Sequence, residues 1–285
     1  MIGAGSAFKK ADWYIAVTDC GWGGPDRLSL LGEKNMEKYR LQRRNLGPAY
    51  TVDAVKDYEE NLDSILEQNI NTMREQSGTA YDLDNFLNFF TSGTSKSLLK
   101  SQVDDGTIGG IHHAWIVSEP VFQRYYVVLM MNRGTQILTN HPGCQQKVHA
   151  EIDQAHRDGE LPAGKVLKVR DIQDHLPYLN ACLKESMRLH SVVGMPLPRA
   201  VPEGGVTLEG YMIPAGTTVG INSWVLGRDK SLYSEDAEEW RPERWLEYSS
   251  EKLKQLESYN FSFGAGARSC PGKRRISLAL KFLVP

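Results

Sequence analysis

The residues between positions 263 and 272 have the types and spacing of a metal site with a sulfur ligand. They read Phe-Gly-Ala-Gly-Ala-Arg-Ser-Cys-Pro-Gly, and the side chain that could bind a metal is Cys270. A deprotonated cysteine offers iron a soft thiolate, and the positive end of a helix favours that negative charge. Pro271 suits the first turn of a helix. A helical apolar spacing follows, formed by Ile276, Ala279, Leu280 and Leu283.

The neighbours of Cys270 suit a flat cofactor that carries iron. Gly266 and Gly272 leave room for a ring system beside the backbone, and glycine permits φ values that other residues resist. Arg268 is placed to meet a carboxylate, and Phe263 can cover the sulfur and limit the access of water. A haem with a cysteine ligand fits this set. A buried structural cysteine after a glycine-rich turn is the alternative.

The motif Phe-x-x-Gly-x-Arg-x-Cys-x-Gly is the one by which this chain resembles the haem-thiolate proteins of the cytochrome P450 superfamily. The C-terminal half is most similar to the fungal members. The resemblance implies a mainly α fold with a small β region, and haem (iron protoporphyrin IX) as the cofactor. It also implies the insertion of one atom of O2 into a small organic substrate, with electrons from an NADPH-dependent reductase. In that chemistry the thiolate donates electron density to iron and favours O–O cleavage.

A second motif supports the resemblance. Glu185 and Arg188 lie three residues apart on a helix predicted over residues 177–190, so they are neighbours on one face. Downstream, Arg244 lies in a Pro-Glu-Arg-Trp sequence. The resemblance implies that these three residues form a buried charge network that fixes the cysteine loop. An ordinary surface ion pair is the alternative reading of the Glu-x-x-Arg spacing.

The resemblance also implies that two further arginines bind the haem propionates. Arg43 follows Tyr39 by four residues in a basic helical segment predicted over residues 37–50. Arg199 follows a Leu-Pro pair, and the residues before it, 192–195, correspond to a strand that lines the substrate pocket. The alternative for Arg43 is the solvated end of a basic helix, and the alternative for Arg199 is an ordinary exposed arginine.

The remaining pattern is mostly helical. An amphipathic spacing predicts a long helix from residue 51 to residue 73, and Pro142 begins a helix with Lys147, Glu151 and Asp153 towards water. Alternating β-branched residues with Gly and Pro turns predict one small β-sheet over residues 199–222. Residues 1–35 are predicted to be loop and turn.

The expected organisation is a single, partial haem-thiolate domain over residues 1–285. Early helices occupy 1–91, the segment 92–139 has no assignable pattern, and 140–285 form the haem-binding half. The family's Gly-x-acid-Thr run is not found between 92 and 136, so no catalytic residue is identified on the distal side of the haem. We therefore expect a truncated, internally incomplete chain. The alternatives to a working monooxygenase are an inactive or haem-free fragment and a haem-thiolate isomerase or dehydratase.

Composition narrows the possible partners. The net charge of −2 over 285 residues gives no support for nucleic-acid binding, which requires a basic stripe. No apolar run is long enough for a membrane anchor, so the chain as written is expected in the cytoplasm. The resemblance implies the endoplasmic reticulum membrane only if an N-terminal anchor is restored. The four cysteines are Cys20, Cys144, Cys182 and Cys270. They are widely separated and contain no C-x-x-C pair, which favours a reducing compartment over a disulfide scaffold.

Overall fold

The structure is a computed structural model that describes residues 8–14, 30, 32–50, 52–75, 77–78, 140–162, 166–271 and 273. Three features predicted above lie outside these residues. They are Gly272, the helix expected after Pro271 and the segment 92–139.

Helices dominate the described part of the chain, which confirms the mainly α prediction. The α-helices within the described ranges are α1 (Met36–Leu46), α2 (Val52–Glu75), α3 (Pro142–Arg157), α4 (Val169–His175), α5 (Pro177–Leu189), α6 (Ser223–Leu226), α7 (Lys230–Tyr233), α8 (Arg244–Glu247) and α9 (Ser250–Tyr259). Short 3-10 helices cover Gly47–Tyr50 and Gly266–Arg268. None of the helices described is long and apolar enough to cross a membrane.

The β region differs from the single sheet predicted. Strands β1 (Lys9–Lys10), β2 (Arg199–Ala200) and β5 (Thr218–Val219) form one antiparallel sheet, in the order β1-β2-β5. Strands β3 (Val206–Leu208) and β4 (Tyr211–Ile213) form a separate hairpin. Its two turn residues, Glu209 and Gly210, have φ values of 48° and 80°, as a tight hairpin turn requires.

Two further predictions about the backbone are wrong. Residues 9–10, predicted to be loop, form a strand because they pair with β2, which a local pattern cannot indicate. Residues 192–195 are irregular rather than a strand. Pro196 and Pro198 lack the N–H groups that a sheet ladder needs, which explains why regular pairing begins only at Arg199.

Helix α5 lies at the centre of the described core and separates two apolar clusters. One cluster joins α3, α4 and α5, and its buried members include Val148, Ile172, Leu176, Leu179 and Cys182. The other joins α5 to the segments that follow the sheets, and its members are Ala181, Leu232, Tyr233, Ala237, Trp245 and Leu256. Helix α5 is therefore held on two sides, which fixes the orientation of its polar residues.

The start of α5 is held by a carboxylate from α3. Glu151, predicted to face water, is half-buried, and its two oxygens accept the backbone N–H groups of Tyr178 (2.6 Å) and Leu179 (2.9 Å). These groups lie in the first turn of α5, where no intrahelical acceptor exists. Burial raises the pKa of Glu151 despite the opposing effect of the two N–H groups. The hydrogen bonds therefore only partly offset the cost of burying the charge.

Because the two hydrogen bonds only partly offset the burial of the Glu151 charge, we expect Glu151→Ala and Glu151→Gln to differ in stability. Glu151→Ala leaves both N–H groups without their acceptor and is expected to lower the free energy of unfolding by about 1–2 kcal/mol. Glu151→Gln keeps one acceptor oxygen and removes the half-buried charge, so its cost is expected to be under half of that. Urea unfolding of the two variants measures the difference, and equal losses would contradict this account of the helix start.

Candidate functional site

The segment from residue 260 to residue 270 is a loop closed by its own backbone. The N–H of Gly264 donates to the Phe261 carbonyl (2.8 Å), and the N–H of Cys270 donates to the Phe263 carbonyl (2.7 Å). We call residues 263–270 the cysteine loop. Cys270, at the end of this loop, is in no disulfide and is exposed. The loop thus brings the first and eighth residues of the motif together and presents the thiol outward.

Two glycines shape the cysteine loop. Gly264 and Gly266 both have φ of 64°, in the left-handed region that residues with a Cβ avoid. The motif singles out Gly266, whereas Gly264 stands at a position that the motif leaves variable. The tight path of the backbone before Cys270 therefore depends on both residues.

Arg268 belongs to the cysteine loop, and its guanidinium contacts neutral groups. Its guanidinium donates to the Glu33 carbonyl (2.7 Å) and lies 3.8 Å from the centre of the Tyr39 ring. Burial lowers the pKa of Arg268, and the nearby positive charge of Arg199 also lowers it. Because an arginine keeps its proton at any physiological pH, this site holds a positive charge that burial and a neighbouring cation both disfavour.

Arg199 and Arg43 are also bonded to neutral oxygens. Arg199 donates to the Tyr14 hydroxyl (2.7 Å) and the Pro198 carbonyl (3.0 Å). Arg43 donates to the Tyr39 hydroxyl (2.7 Å) and to the carbonyl of Ser269 in the cysteine loop (2.6 Å). Within the described ranges, no carboxylate lies within ion-pair distance of these two arginines or of Arg268. Among the residues that the structure describes, these cations at the loop therefore have no carboxylate as an ion-pair partner.

A cavity connects two of these arginines. Arg199 and Arg268 both line it, together with Gly264 of the cysteine loop. Most of its other walls are apolar, formed by Val193, Met195, Leu197, Ile221, Phe261 and Ala265. Residues 192–195, although not a strand, do contribute to this lining through Val193 and Met195. The cavity thus combines positive charge at one part of its wall with an apolar surface elsewhere.

Glu185, Arg188 and Arg244 form one buried charge cluster behind the cysteine loop. Their side chains have no exposed surface. Arg188 makes a two-pronged contact with Glu185, from Nη2 to Oε1 (2.7 Å) and from Nε to Oε2 (2.9 Å). Arg244 donates its Nε to Oε1 of the same carboxylate (3.1 Å). Two guanidinium groups thus share one carboxylate in the interior.

A fourth charged residue completes this cluster. Asp236 accepts a hydrogen bond from Arg244 (3.1 Å) and another from Arg241 (2.6 Å). Although burial opposes it, these bonds hold the pKa of Asp236 below its ordinary value. The carboxylates of Glu185 and Asp236 likewise raise the pKa of Arg244 against the effect of burial. Sequence reasoning missed Asp236, although two cations facing one buried carboxylate signal that a second acid is needed.

Neutral groups satisfy the rest of the cluster. The Trp245 indole N–H and the Arg241 backbone N–H both donate to Glu185 (2.9 and 3.0 Å). Arg188 uses its remaining N–H groups on the carbonyls of Gly227, Ala237 and Glu239. A buried ionic group is tolerated only when it is paired in this way. The cluster therefore ties α5 to α8 and to the connecting segment over residues 227–239.

The cluster reaches the cysteine loop through α5. The hydroxyl of Ser262, one residue before the loop, donates to the carbonyl of Met187 (3.1 Å). Met187 lies between Glu185 and Arg188 on α5. A shift of α5 would therefore move the residue that leads into the loop.

The buried cluster is expected to be far more sensitive to charge removal than an exposed ion pair. Glu185→Gln leaves buried cations without their main counter-charge and should lower the free energy of unfolding by about 3–5 kcal/mol. Glu235→Gln is the matched control, since Glu235 and its partner Lys230 have side chains 89% and 60% exposed. Its cost should stay below about 1 kcal/mol. Thermal and urea unfolding would refute the cluster's role if both variants lost the same stability.

The backbone of the cysteine loop gives a second prediction. Gly266→Ala forces a Cβ into the left-handed region and should cost about 1–2 kcal/mol of folding free energy. Gly143 provides the control, because it lies in the first turn of α3, is exposed, and has no atom other than those of its chain neighbours and its own helix backbone within 4 Å of an added Cβ. Gly143→Ala should be neutral or stabilising by up to about 1 kcal/mol. Equal unfolding midpoints for the two variants would contradict the strain assigned to Gly266.

Comparison with known proteins places the cysteine loop and the charge cluster within one protein family. The family model for cytochrome P450 matches residues 136–282, which are just over half of the chain and include both features. A cytochrome P450 monooxygenase from Aspergillus terreus is 41% identical over 150 residues, covering 53% of this chain and 30% of that protein. Cytochrome P450 monooxygenase cicH from Emericella nidulans is 43% identical over 148 residues, covering 52% and 29%.

A longer and more distant match extends over the whole chain. Cytochrome P450 monooxygenase sdnT from Sordaria araneosa is 24% identical over 417 residues, covering 100% of this chain and 74% of that protein. Because this alignment is longer than the chain itself, parts of that relative have no counterpart here. The two matches of higher identity span less than a third of the length of those relatives. With just over half of its residues matched by the family model, the chain belongs to the cytochrome P450 family.

Proposed function

We propose that the cysteine loop binds haem through the Cys270 thiolate and that the chain is, or derives from, a haem-dependent monooxygenase. The observation that carries this proposal is the meeting of an exposed cysteine with arginines whose hydrogen-bond partners among the described residues are neutral. Arg43 contacts the loop, Arg268 lies within it, and Arg199 shares its cavity. This is the charge pattern that a dianionic, largely apolar cofactor would need.

The chemistry of these donors fits haem. The propionate groups require cations that are not already neutralised by protein carboxylates, and guanidinium groups bind carboxylates in a two-pronged manner. The apolar walls formed by Val193, Leu197 and Phe261 suit a hydrophobic ring edge. Cys270 is accessible, as an iron ligand must be before the cofactor binds. Gly272 and the helix after Pro271 remain predictions of the motif.

Each residue has a distinct proposed role. Cys270 would supply the anionic sulfur that holds the iron. Arg43, Arg199 and Arg268 neutralise and orient the propionates, and the Phe263 ring limits water near the sulfur. Glu185, Arg188 and Arg244 hold α5, which positions the loop. The bound haem would supply the oxygen chemistry, while the protein contributes binding, orientation and electrostatics.

The substrate and the electron donor follow from the family in broad terms. The relatives from A. terreus, E. nidulans and S. araneosa are named as cytochrome P450 monooxygenases. A small organic substrate and an NADPH-dependent reductase are proposed here on that basis. Val193 and Met195 line the apolar part of the cavity and are the described residues that we propose to contact the substrate.

The absorption spectrum of the reduced carbonyl adduct tests this proposal. The purified chain with added haem should show the red-shifted Soret band of thiolate ligation, and Cys270→Ser should abolish it. Cys144→Ser is the matched control, because Cys144 is a half-buried thiol that accepts a hydrogen bond from Trp240 and should not bind iron. Persistence of the band in Cys270→Ser would overturn the assignment of the ligand.

The same preparation separates the alternatives. A chain that takes up no haem would support an inactive fragment. A chain that shows the thiolate band and converts an oxygenated substrate without a reductase would support an isomerase or dehydratase. Oxygen-dependent turnover that requires a reductase would support the monooxygenase.

A further inference from the structure

We infer that Tyr39 is a positioning residue of the cysteine loop and does not donate a hydrogen bond to a haem propionate. The inference rests on the proposed function. It differs from the role implied by the family pattern, in which the Tyr39 and Arg43 spacing belongs to propionate binding. Helix α1 contacts consecutive residues of the loop, and these contacts support the positioning role.

Helix α1 holds three successive loop residues. The Tyr39 hydroxyl donates to the Ala267 carbonyl (3.0 Å), and the Tyr39 ring lies 3.8 Å from the Arg268 guanidinium carbon. Arg43, one helical turn further on, donates to the Ser269 carbonyl (2.6 Å). Tyr39 is only 3% exposed, so these contacts are shielded from water. One face of α1 therefore clamps the loop over residues 267–269.

A count of protons fixes the role of the Tyr39 hydroxyl. A phenol has one O–H proton to donate. Tyr39 donates it to Ala267 and accepts a hydrogen bond from Arg43 (2.7 Å) on the same oxygen. In this arrangement the single proton of Tyr39 is used on the Ala267 carbonyl. The bond that the Tyr39 oxygen accepts also orients Arg43, whose Nη1 donates to both the hydroxyl and the Ser269 carbonyl.

The clamp acts on the peptide group next to the proposed iron ligand. Arg43 donates to the carbonyl of Ser269, and the N–H of the same peptide group, that of Cys270, donates to Phe263. A cationic donor on the carbonyl side polarises the group and strengthens the bond on the N–H side. Tyr39 thus helps to set the position of Cys270 through Arg43 and through Ala267.

Tyr39→Phe tests this role, with Tyr178→Phe as the matched control. Tyr178 is also buried, and its hydroxyl donates a hydrogen bond of similar length to Glu243 (3.1 Å). Both variants remove one hydroxyl and keep the ring. If Tyr39 positions the loop, Tyr39→Phe should release haem about fivefold faster than the native chain, the factor expected for one hydrogen bond. A larger share of its reduced carbonyl adduct should also lose the thiolate band, whereas Tyr178→Phe should behave as the native chain does.

A measurement on the haem-free chain keeps this test independent of the proposed function. The rate at which iodoacetamide labels Cys270, followed by mass spectrometry at fixed pH, should rise in Tyr39→Phe and not in Tyr178→Phe. Equal labelling rates and equal carbonyl spectra in the two variants would overturn the role of Tyr39. Absence of the thiolate band from the native chain would overturn the proposed function instead, and the labelling comparison would still decide the role of Tyr39.

Discussion

A carboxylate that has no contact with solvent stays charged inside a protein only when cations and N–H donors surround it, and Glu185 is such a carboxylate. Its two oxygens accept bonds from Arg188, Arg244, the Trp245 indole and the Arg241 backbone. Arg188 lies on the same helix as Glu185, and the other three donors lie within residues 241–245. The requirement to satisfy one buried charge therefore constrains α5, α8 and the segment between them at the same time.

The buried charge cluster fixes α5, and α5 supports the cysteine loop on one side. Helix α1 supports the loop on the other side. On the first side, α5 contacts the approach to the loop through Ser262 and Met187. On the second, Tyr39 and Arg43 hold the carbonyls of Ala267 and Ser269. Cys270 must hold its sulfur in one direction to bind a metal. Contacts from both α5 and α1 favour this, because a loop held at one end only would remain free to move.

Some of this organisation could be predicted because it depends on local chemistry. Pro142 and Pro177 begin α3 and α5, as proline at the first helical position indicates. The three-residue spacing of Glu185 and Arg188 puts them on one helix face whatever surrounds them. The positive φ of Gly266 likewise agrees with the predicted need for a flexible position in the motif.

Other features could not be predicted because they depend on pairing across long distances. The strand β1 exists only through its contact with β2, almost 190 residues later in the chain. Asp236 lies in an acidic, irregular segment without periodicity, so no pattern distinguished it from its neighbours. Glu151 was placed towards water by its helical register, yet the start of α5 packs over it and supplies two N–H donors. In each case a tertiary contact outweighed the local signal.

X-ray absorption at the iron edge of the haem-loaded chain tests the central claim most directly, because it identifies the atoms bound to iron. We predict one sulfur scatterer in the native chain and its loss in Cys270→Ser, with the nitrogen shell of the porphyrin unchanged. A native chain whose iron is surrounded only by nitrogen and oxygen would contradict the assignment of Cys270 as the ligand.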